Sequence, residues 1–403
     1  MLKESFKKIT PAFLIDWYHF SLAFLGALLY GFPSKSLIVI GVTGTNGKST
    51  VIEFIAGILE EAGFKVASLS SIKFKIKNRE WPNALRMTMP GRFMIQKFFR
   101  KAVNSGCQYA VLEVTSEGIK QYRHKFIDFS MAVFTNLSPE HIEAHGSFEK
   151  YKEAKGKLFQ ATKKIHIINI DDKNAGYFLK FPADKKYTYG SEKGDINAKN
   201  TQFKLRMVGD FNIYNALAAS CVGVSQGIDL RICKKAVEKI KGIPGRMEEV
   251  ISEPFKVFVD YAFTPNALEK VYQTLKATSN KQQATRMICV LGAAGGGRDK
   301  WKRPILGKLA GKYCDEVIIT NEDPYDEEPI GIINQVAAGA GDKAKKILDR
   351  REAISQALKI AKSGDVVVIT GKGCESSICI GDGKKIPWDD RKVVKEEFKK
   401  ISE

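Results

Sequence analysis

Residues 37–50, LIVIGVTGTNGKST, combine the side chains and the spacing needed to hold a nucleotide phosphate. Leu37–Val42 is a short apolar run typical of a buried parallel strand, and apolar residues recur at helical spacing over Val51–Ala62. Between them lie a glycine loop, Lys48 and Ser49. The backbone of such a loop can approach an anion, the lysine can reach terminal phosphates, and the serine can hold Mg²⁺. The predicted nucleotide-binding residues are Gly44, Thr45, Asn46, Gly47, Lys48, Ser49 and Thr50.

Acidic and histidine side chains follow the ends of other strand-like segments, where open α/β sheets bind their ligands. Glu113 lies near the end of Tyr109–Val114, and a carboxylate there suits Mg²⁺ beside a phosphate loop, although a solvated acid fits equally well. His141 and His145 stand four residues apart without a neighbouring cysteine, which disfavours a closed structural zinc site. One histidine that assists a second divalent ion, with the other orienting the loop, fits the pattern better.

Eight short apolar runs alternate with helical stretches, which predicts parallel α/β sheets. The strand signal lapses around residues 225–250, and Lys241–Arg246 has the composition of an interdomain joint. We therefore predict three parts: residues 1–36 form a short apolar segment, 37–243 a P-loop ATP-binding domain, and 244–403 a Rossmann-like α/β domain. The eight predicted strands are Leu37–Val42, Tyr109–Val114, Met131–Thr135, Lys164–Ile170, Val257–Asp260, Met287–Leu291, Glu316–Thr320 and Asp365–Thr370.

Two further glycine-containing loops follow strands in the second domain. Gly292–Lys300 lies beside Lys302 and Arg303, which suggests a second anion-facing surface, although glycine loops are common. Thr370–Glu375 also follows a strand end. Both loops are therefore candidates for substrate binding.

The net charge of +19 over 403 residues favours a polyanionic partner, such as a nucleotide, a nucleotide-sugar or an anionic membrane surface. The lysines are dispersed and have no interleaved aromatic motif, so we do not expect nucleic acid as a partner. The seven cysteines include no CxxC pair. An odd number without pairs indicates a reducing cytoplasm and argues against a disulfide framework or a zinc ribbon.

The segment Pro11–Pro33 is strongly apolar and aromatic, but Asp16 and His19 interrupt it. Its uninterrupted part, Phe20–Phe32, is shorter than the ~20 residues that a bilayer span needs. It also lacks the small-residue cleavage site of a signal peptide. We predict a helix that packs on the first domain, and contact of residues 11–33 with a membrane surface is the less favoured alternative.

These motifs, in this order, resemble the Mur ligase family of ATP-dependent amide-forming enzymes in peptidoglycan precursor synthesis. The resemblance is closest to the MurE-type branch, which adds the third amino acid to UDP-N-acetylmuramoyl-alanyl-glutamate. It runs from about Leu37 to the C-terminus. The motifs that carry it are TGTNGKST at 43–50, EVTSEG at 113–118, FTNLSPEHIEAHG at 134–146, FNIYN at 211–215, GRME at 245–248, DYAFTP at 260–265, Asp349–Arg350 and GKGCE at 371–375.

The resemblance implies that ATP phosphorylates a substrate carboxylate, that the incoming amine attacks the acyl phosphate, and that phosphate is expelled. It implies catalytic roles for Lys48, Glu113, His141 and Lys155. Ser49 and Glu113 would hold one Mg²⁺, and His141 with a carbamylated Lys155 would hold a second. The implied nucleotide-side residues are Asn212, Arg246 and Asp260, and the implied substrate residues are Thr88, Ser116, Arg123, Glu322, Asp323, Tyr325, Gly371 and Glu375.

The chain also departs from the pattern of this branch. A uridine-nucleotide-binding domain normally precedes the ATP loop, whereas only residues 1–36 stand there. Three explanations stay open: UDP is bound in a different way, the acceptor is not a UDP-sugar, or a partner supplies the missing binding surface. Tyr325 replaces an arginine that reads the distal carboxylate of diaminopimelate. The neighbouring acids favour lysine or another diamine, although exposed loop charge explains them as well: Glu322, Asp323, Asp326 and Glu327.

We therefore expect a cytoplasmic, monomeric, ATP-dependent ligase that adds an amino acid to a nucleotide-sugar peptide. Its reaction would contribute to cell wall biogenesis and thereby to cell shape and cell division. Two alternatives remain: a related ligase, of folylpolyglutamate type or acting on another acceptor, and a regulatory pseudoenzyme that keeps only the P-loop. The joint presence of Lys48, Glu113, His141 and Lys155 argues against the pseudoenzyme.

Overall fold

A computed structural model describes residues 11–85, 87–278 and 286–402. The strands up to residue 240 are β1 Ile38–Thr43, β2 Val66–Leu69, β3 Lys73–Ile76, β4 Arg79–Pro82, β5 Tyr109–Glu113, β6 Phe129–Phe134, β7 Ile165–Asn169, β8 Lys185–Gly190 and β9 Ile196–Asn197. The helices are α1 Ala12–Leu29, α2 Lys48–Glu61, α3 Arg92–Asn104, α4 Ser116–Lys120, α5 Ile142–His145, α6 Phe148–Ala161, α7 Ala175–Leu179, α8 Ala198–Thr201, α9 Phe211–Ser225 and α10 Leu230–Lys239.

The rest of the chain adds strands β10 Glu248–Ile251, β11 Lys256–Asp260, β12 Met287–Leu291, β13 Glu316–Ile319, β14 Ala344–Lys346, β15 Val366–Thr370, β16 Ser377–Cys379 and β17 Lys385–Pro387. Its helices are α11 Pro265–Thr278, α12 Lys302–Tyr313, α13 Pro329–Ala340, α14 Arg350–Ile360 and α15 Asp390–Ser402. Short 3₁₀ helices lie at Pro33–Ser36, Gly341–Lys343 and Gly381–Gly383.

The chain divides into two compact units. Among the described residues, unit 1 takes the chain up to Leu137 together with Glu149–Leu205 and Phe211–Ile240. Unit 2 takes Ser138–Phe148, Arg206–Asp210 and the chain from Lys241 onward. Two short segments inside the predicted ATP-binding domain therefore group with unit 2. The domain boundaries at 36/37 and 243/244 stay predictions.

Unit 1 is built on a nine-stranded sheet in the order β4-β3-β2-β5-β1-β6-β7-β8-β9. The central strand β1 pairs in parallel with β5 and β6, with Val42 opposite Glu113 and Thr43 opposite Phe134. The β3–β4 hairpin at one edge is antiparallel. This register brings the carboxyl ends of β1, β5 and β6 to one edge of the sheet, where ligands bind in open α/β sheets.

Unit 2 is built on a six-stranded sheet in the order β10-β11-β15-β12-β13-β14. All of its neighbouring strands are parallel except β10 and β11. Asp260 lies opposite Thr370, so the loops after β11 and β15 leave the sheet side by side. The sheet packs on α14 and α15 through a buried aliphatic cluster that includes Val257, Val367, Ile354 and Val394.

The predicted α/β fold class is confirmed, and the eight predicted strands appear as β1, β5, β6, β7, β11, β12, β13 and β15. The strands that sequence reasoning missed are short or lie near sheet edges. Lys185–Gly190, for example, is polar and half-exposed over most of its length. It has no continuous apolar run because it is not fully buried on both faces.

The predicted N-terminal helix is present as α1, and it packs against α3 in unit 1. Arg100 of α3 donates hydrogen bonds of 2.8 and 2.7 Å to the carbonyl oxygen of Tyr30, just after α1 ends. Within residues 11–85, 87–278 and 286–402, no helix has both the length and the apolar character needed to cross a membrane.

We predict that Arg350→Met destabilises unit 2. Arg350 and Asp390 form a bidentate ion pair with N–O distances of 2.9 and 2.7 Å, and both side chains are fully buried. Removing one partner leaves a buried unpaired carboxylate, which typically costs about 3–5 kcal/mol. The urea concentration at the midpoint of unfolding, monitored by circular dichroism, tests this prediction.

The matched control is Arg351→Met. Arg351 pairs with Glu396 and Glu397, but 42% of its side chain is exposed. Solvent screens such a pair, so its loss should cost about 1 kcal/mol or less. Equal unfolding midpoints for the two variants would contradict the prediction that the buried pair of Arg350 stabilises unit 2 more than the partly exposed pairs of Arg351.

Candidate functional site

The loop after β1 has the geometry of a phosphate cradle. Gly44 and Gly47 have φ of +148° and +84°, a backbone conformation that favours glycine. A Cβ atom on Gly47 would also lie 2.4 Å from the Oδ1 atom of Asn215. Helix α2 begins at Lys48, so its N-terminal N–H groups and its partial positive charge face the loop.

The loop is held in shape by the residues that follow β6. Thr135 Oγ1 donates a 2.7 Å hydrogen bond to the carbonyl oxygen of Asn46. The amide of Asn136 both accepts from Asn46 N and donates to Asn46 O, each at 3.0 Å. Thr45 N also donates to Asn136 O at 2.8 Å. The FTN segment of the sequence therefore fixes the backbone that would contact phosphate.

The structure brings Lys48, Ser49 and Glu113 together, as predicted. Ser49 Oγ donates to Glu113 Oε2 at 3.0 Å, and Lys48 Nζ lies 3.8 Å from Glu113 Oε1. The carboxylate is almost fully buried. A hydroxyl and a carboxylate oxygen at this spacing are the hard donors that Mg²⁺ accepts, so the residues present fit a magnesium ion.

Ser71 belongs to this cluster and was missed by sequence reasoning. Its backbone N–H donates to Glu113 Oε2 at 2.9 Å, and its hydroxyl lies 2.9 Å from the hydroxyl of Ser49. Ser71 follows β2, a strand of four residues that no sequence pattern had indicated. Its place beside Glu113 results from the pairing of β2 with β5, which the sequence alone does not reveal.

Lys155 of α6 lies on the other side of the phosphate loop. Its Nζ donates a 2.7 Å hydrogen bond to Gly44 O and lies 4.6 Å from the centre of the Tyr151 ring. Burial lowers the pKa of Lys155 well below its ordinary value, the nearby Lys48 lowers it further, and Glu113 opposes them. This environment favours a neutral amine, the nucleophilic form of lysine.

The FNIYN segment forms the start of α9 and lies beside the same loop. Asn212 is buried, and its Oδ1 accepts a 3.1 Å hydrogen bond from Asn215 Nδ2. Asn215 in turn lies against Gly47, since a Cβ atom placed on Gly47 would come closest to the Asn215 side chain. Of the predicted nucleotide-side residues, Asn212 is therefore in unit 1, near the phosphate loop.

The predicted acceptor residues of unit 1 lie close to one another. Ser116 is buried in the first turn of α4, directly after β5, and Thr115 caps that helix. Arg123 donates hydrogen bonds to Met89 O and, at 2.7 Å, to Gln121 Oε1. Met89 follows Thr88, so the guanidinium and the Thr88 segment lie side by side.

His141 groups with unit 2 rather than with the cluster around Glu113. It lies at the start of α5 with a φ of +56°. Its loop is anchored within unit 2, since Glu143 N donates to Asp299 Oδ1 at 2.9 Å and Lys302 Nζ donates to Glu140 Oε1 at 2.6 Å. In the part of the chain that the structure describes, no three His, Cys, Asp or Glu side chains form a metal cluster by themselves.

Arg246 and Asp260, the other predicted nucleotide-side residues, are neighbours in unit 2. Asp260 accepts hydrogen bonds of 2.7 Å from the backbone N–H groups of Met247 and Ala262. Burial raises the pKa of Asp260, while Arg246 and these N–H groups oppose the rise. The Arg246 guanidinium also stacks 4.5 Å from the centre of the Tyr261 ring. Asp260 thus fixes the backbone just before β10 and just after β11.

The loop after β13 does not offer a row of unpaired acids, contrary to the sequence-based premise for a cationic amino acid. Lys372 Nζ donates to both carboxylate oxygens of Asp323, at 2.9 and 2.8 Å, and also to Glu375. Glu327 accepts from Arg303 at 3.0 Å. Asp326 Oδ1 accepts a 3.0 Å hydrogen bond from the backbone of Asp382.

Glu322, the fourth acid, lies under Gly371. A Cβ atom on Gly371 would lie 2.2 Å from Glu322 Oε2, and the φ of Gly371 is +103°, so this close approach requires glycine. Burial raises the pKa of Glu322 to about 7, against the opposing effect of Arg350. Tyr261 OH donates to Glu375 Oε1 at 2.9 Å. Because Lys372 donates to both Asp323 and Glu375, these two acids and Tyr261 belong to one hydrogen-bonded network below the loop.

Tyr325 sits at the surface of this network in a left-handed conformation, with a φ of +51°. Burial raises the pKa of Tyr325, and the Arg298 guanidinium opposes that rise. The side chain of Arg298 therefore lies next to the Tyr325 phenol. Sequence reasoning had singled out the loop Gly292–Lys300 but had not connected it to Tyr325.

Two family models match the chain. The Mur ligase middle domain matches residues 42–223, and the Mur ligase glutamate ligase domain matches residues 245–373. The chain belongs to the Mur ligase family. Members of this family are ATP-dependent amide ligases, so the expected family and enzyme class are confirmed.

Two relatives illustrate how close this Mur ligase is to the branch that it resembles. It is 38% identical to the UDP-N-acetylmuramoyl-L-alanyl-D-glutamate–2,6-diaminopimelate ligase of Syntrophomonas wolfei over 93% of this chain and 81% of the relative. It is 35% identical to the UDP-N-acetylmuramyl-tripeptide synthetase of a Roseiflexus species over 94% of this chain and 82% of the relative. Both relatives are named for the reaction of the MurE-type branch.

Solved structures support the fold. A UDP-N-acetylmuramoyl-L-alanyl-D-glutamate–2,6-diaminopimelate ligase superposes with a TM-score of 0.59 at 30% identity, over 91% of this Mur ligase and 79% of that chain. A folylpolyglutamate synthase from Mycobacterium tuberculosis superposes with a TM-score of 0.69 at 16% identity, over 89% and 94% of the two chains. The second match concerns the fold alone.

We predict that Lys48→Ala abolishes efficient turnover of this Mur ligase. The variant loses the cation that would balance the charge of the terminal phosphates, and such an electrostatic contact is typically worth ~10²-fold or more in turnover. The measurement is the rate of ATP-dependent phosphate release. Lys173→Ala, an exposed lysine in the same unit, is the matched control and should keep the parent rate. An unchanged rate in Lys48→Ala would mean that ATP binds elsewhere.

Proposed function

We propose that this Mur ligase adds an amino acid to UDP-N-acetylmuramoyl-alanyl-glutamate, or to an acceptor with the same peptide end, during peptidoglycan precursor synthesis. One observation carries the proposal: Lys48, Ser49, Glu113 and Lys155 surround one phosphate loop, and the acceptor-side Ser116 follows the same strand as Glu113. The relatives named for this reaction, at 35–38% identity, support it.

In this proposal unit 1 binds ATP. The backbone of the phosphate loop and Lys48 would hold the phosphates, and Ser49 with Glu113 would hold Mg²⁺. The ion, when bound, neutralises charge on the transferred phosphoryl group. Asn212 would line the nucleotide side in unit 1, and Arg246 and Asp260 stay predicted nucleotide-side residues in unit 2.

We also propose that Lys155 is carbamylated. Its neutral amine would attack the carbon of CO₂, forming an N–C bond, opening one C=O bond to a carboxylate and releasing one proton from nitrogen, so the buried amine would become a carbamate. The depressed pKa of Lys155 supports this step, because only the neutral amine reacts. The new carboxylate would face Lys48 and could hold a second divalent ion, for which His141 of unit 2 stays a predicted ligand.

The acceptor carboxylate would first attack the terminal phosphorus of ATP and release ADP. The amine of the incoming amino acid would then attack the carbonyl carbon of the acyl phosphate and expel phosphate. On the acceptor side, Arg123 offers a guanidinium beside Thr88, and Ser116 offers a hydroxyl next to the ATP cluster. Such groups would hold the peptide end in position, which is the main demand of this chemistry.

For the incoming amino acid we propose a 2,6-diaminopimelate type rather than lysine. Three of the four acids that had favoured lysine are already paired or hydrogen-bonded, and the fourth, Glu322, is buried. The three are Asp323 with Lys372, Glu327 with Arg303, and Asp326 with the backbone of Asp382. Arg298, beside Tyr325, supplies a guanidinium that can bind a distal carboxylate. Glu375, which accepts hydrogen bonds from Tyr261 and Lys372, and Gly371 stay predicted substrate residues.

The experiment that tests the proposed function is a substrate matrix. Purified protein, ATP and Mg²⁺ are combined with UDP-linked or unlinked muramoyl dipeptide and with single amino acids, and phosphate release and product mass are measured. The proposal expects a tripeptide product with a muramoyl dipeptide acceptor. Turnover only with a folate acceptor and glutamate would indicate a folylpolyglutamate-type ligase, and no turnover with any acceptor would indicate a pseudoenzyme.

We predict that Lys155→Ala is nearly inactive and that short carboxylates partly restore its activity, because they can refill the position of the carbamate oxygens. Nuclear magnetic resonance of protein equilibrated with isotopically labelled CO₂ should show a carbamate signal that disappears in the variant. Lys157→Ala, an exposed lysine on the same helix, is the control and should keep both the signal and the activity. A parent enzyme without a carbamate signal would contradict the modification.

We predict that Arg298→Ala shifts preference from diaminopimelate toward lysine. An unpaired carboxylate in a partly buried site costs a few kcal/mol, so the ratio of kcat/KM values should change by about tenfold to a hundredfold. Lys300→Ala in the same loop is the control and should leave the ratio unchanged. If the parent enzyme prefers lysine, Arg298 does not bind a distal carboxylate, and the preference for lysine expected from the sequence is correct.

A further inference from the structure

Helix α1 turns its small residues toward the protein and its large residues outward. Ala23 and Ala27 are fully buried, and a Cβ atom on Gly26 would lie only 3.5 Å from the backbone of Phe93 on α3. Trp17 and Leu29 are each about 70% exposed. The large apolar side chains that α1 exposes are Phe13, Leu14, Trp17, Tyr18, Phe20, Phe24, Leu25, Leu28 and Leu29.

This apolar surface is concentrated in one place. Of the nineteen large apolar side chains that are exposed among the described residues, nine lie on α1. Two more, Phe93 and Met94, lie on α3, the helix on which α1 packs. We call these eleven side chains the α1 face. A contiguous apolar surface of this kind marks an interaction site, because scattered single residues are the norm on a solvent-exposed surface.

The α1 face is a fixed part of unit 1. Arg100 donates hydrogen bonds to Tyr30 O and Gly31 O after the end of the helix, and Arg92 contacts His19 in its middle. Phe20 packs edge-on against Phe126, with ring centres 5.1 Å apart. One side of α1 is therefore occupied by protein, and only the other side can meet a partner.

Three exposed lysines and two exposed acids flank the α1 face. Lys97 and Lys101 are exposed on α3, and Lys35 is exposed in the 3₁₀ helix Pro33–Ser36 that follows α1. Asp16 and Asp128 are the exposed acids on α1 and on the loop after Phe126.

Next to the helix, Phe20 packs against Tyr122 with ring centres 6.5 Å apart. Tyr122 lines a cavity of about 420 Å³ together with Lys125, Lys157 and Lys163. His124 lines it too, and burial lowers the pKa of His124 to about 4, with further lowering by Lys125 and Lys157. The field in this cavity is therefore positive, which suits a phosphate group.

We propose that the α1 face binds the surface of an anionic lipid bilayer, with its apolar side chains at the headgroup–acyl boundary and its lysines against lipid phosphates. Trp17 and Tyr18 have the amphipathic rings that favour this boundary. A second copy of the chain is a poorer occupant, because it would bring two surfaces of the same charge together. This proposal is independent of the ligase reaction.

The test is co-sedimentation of the full chain with vesicles. One set contains equal parts of phosphatidylglycerol and phosphatidylcholine, and the other contains phosphatidylcholine alone. We expect binding to the anionic vesicles that weakens as salt is added, and much weaker binding to the neutral ones. The triple variant Phe13→Gln, Trp17→Gln, Leu28→Gln should lose roughly tenfold or more of the binding, since it removes the inserted side chains.

Two further variants separate the contribution of the apolar side chains of α1 from that of the lysines. Ile232→Gln, Leu348→Gln, Ile386→Gln changes three exposed apolar residues elsewhere and should bind like the parent chain. Lys97→Gln, Lys101→Gln leaves the apolar residues intact and should reduce binding to anionic vesicles only. All these sites are exposed, so circular dichroism should show unchanged folding.

The proposal is overturned if the parent chain fails to sediment with anionic vesicles at low salt, or if the α1 triple variant sediments as well as the parent. It is also overturned if the parent chain forms a dimer in sedimentation velocity that the α1 triple variant abolishes, without any vesicle binding. That result would assign the α1 face to a second copy.

Discussion

The structure of unit 1 depends on one constraint: the backbone between β1 and α2 must stay open enough to surround phosphates. Hydrogen bonds from Thr135 and Asn136 to Asn46 impose this shape from the end of the neighbouring strand. The parallel register of β1, β5 and β6 makes those bonds geometrically available. The same register places Glu113 beside the loop, so the fold and the proposed ATP site arise from a single pairing pattern.

Charge balance explains the chemistry that the site can support. Two amines, Lys48 and Lys155, share the neighbourhood of one carboxylate, Glu113. Burial makes a second ammonium costly, so Lys155 is driven toward its neutral form. A neutral amine beside a carboxylate that suits Mg²⁺ can be converted into a further negative ligand. The arrangement thus supports phosphoryl transfer to a carboxylate, in which several negative groups must be brought together.

The sequence was sufficient for features that depend on local order and insufficient for those that depend on pairing across the fold. The phosphate loop and Glu113 were predictable because the loop follows one buried apolar strand and Glu113 ends another. Ser71 was not, because β2 is too short to be recognised. The pair of Asp323 and Lys372 joins residues far apart in the chain, and no spacing rule reveals it. The orientation of α1 was also hidden, because a helix that is apolar on all sides gives no periodic signal.

The central claim is that the acceptor carboxylate is phosphorylated before the amide forms. The most direct measurement uses acceptor labelled with heavy oxygen (¹⁸O) in its terminal carboxylate, followed by phosphorus nuclear magnetic resonance of the released phosphate. If an acyl phosphate forms, one labelled oxygen leaves the acceptor with the phosphate, and the phosphate signal shifts accordingly. Released phosphate without the label would contradict the account, because the oxygen that the acceptor loses would then leave by another route.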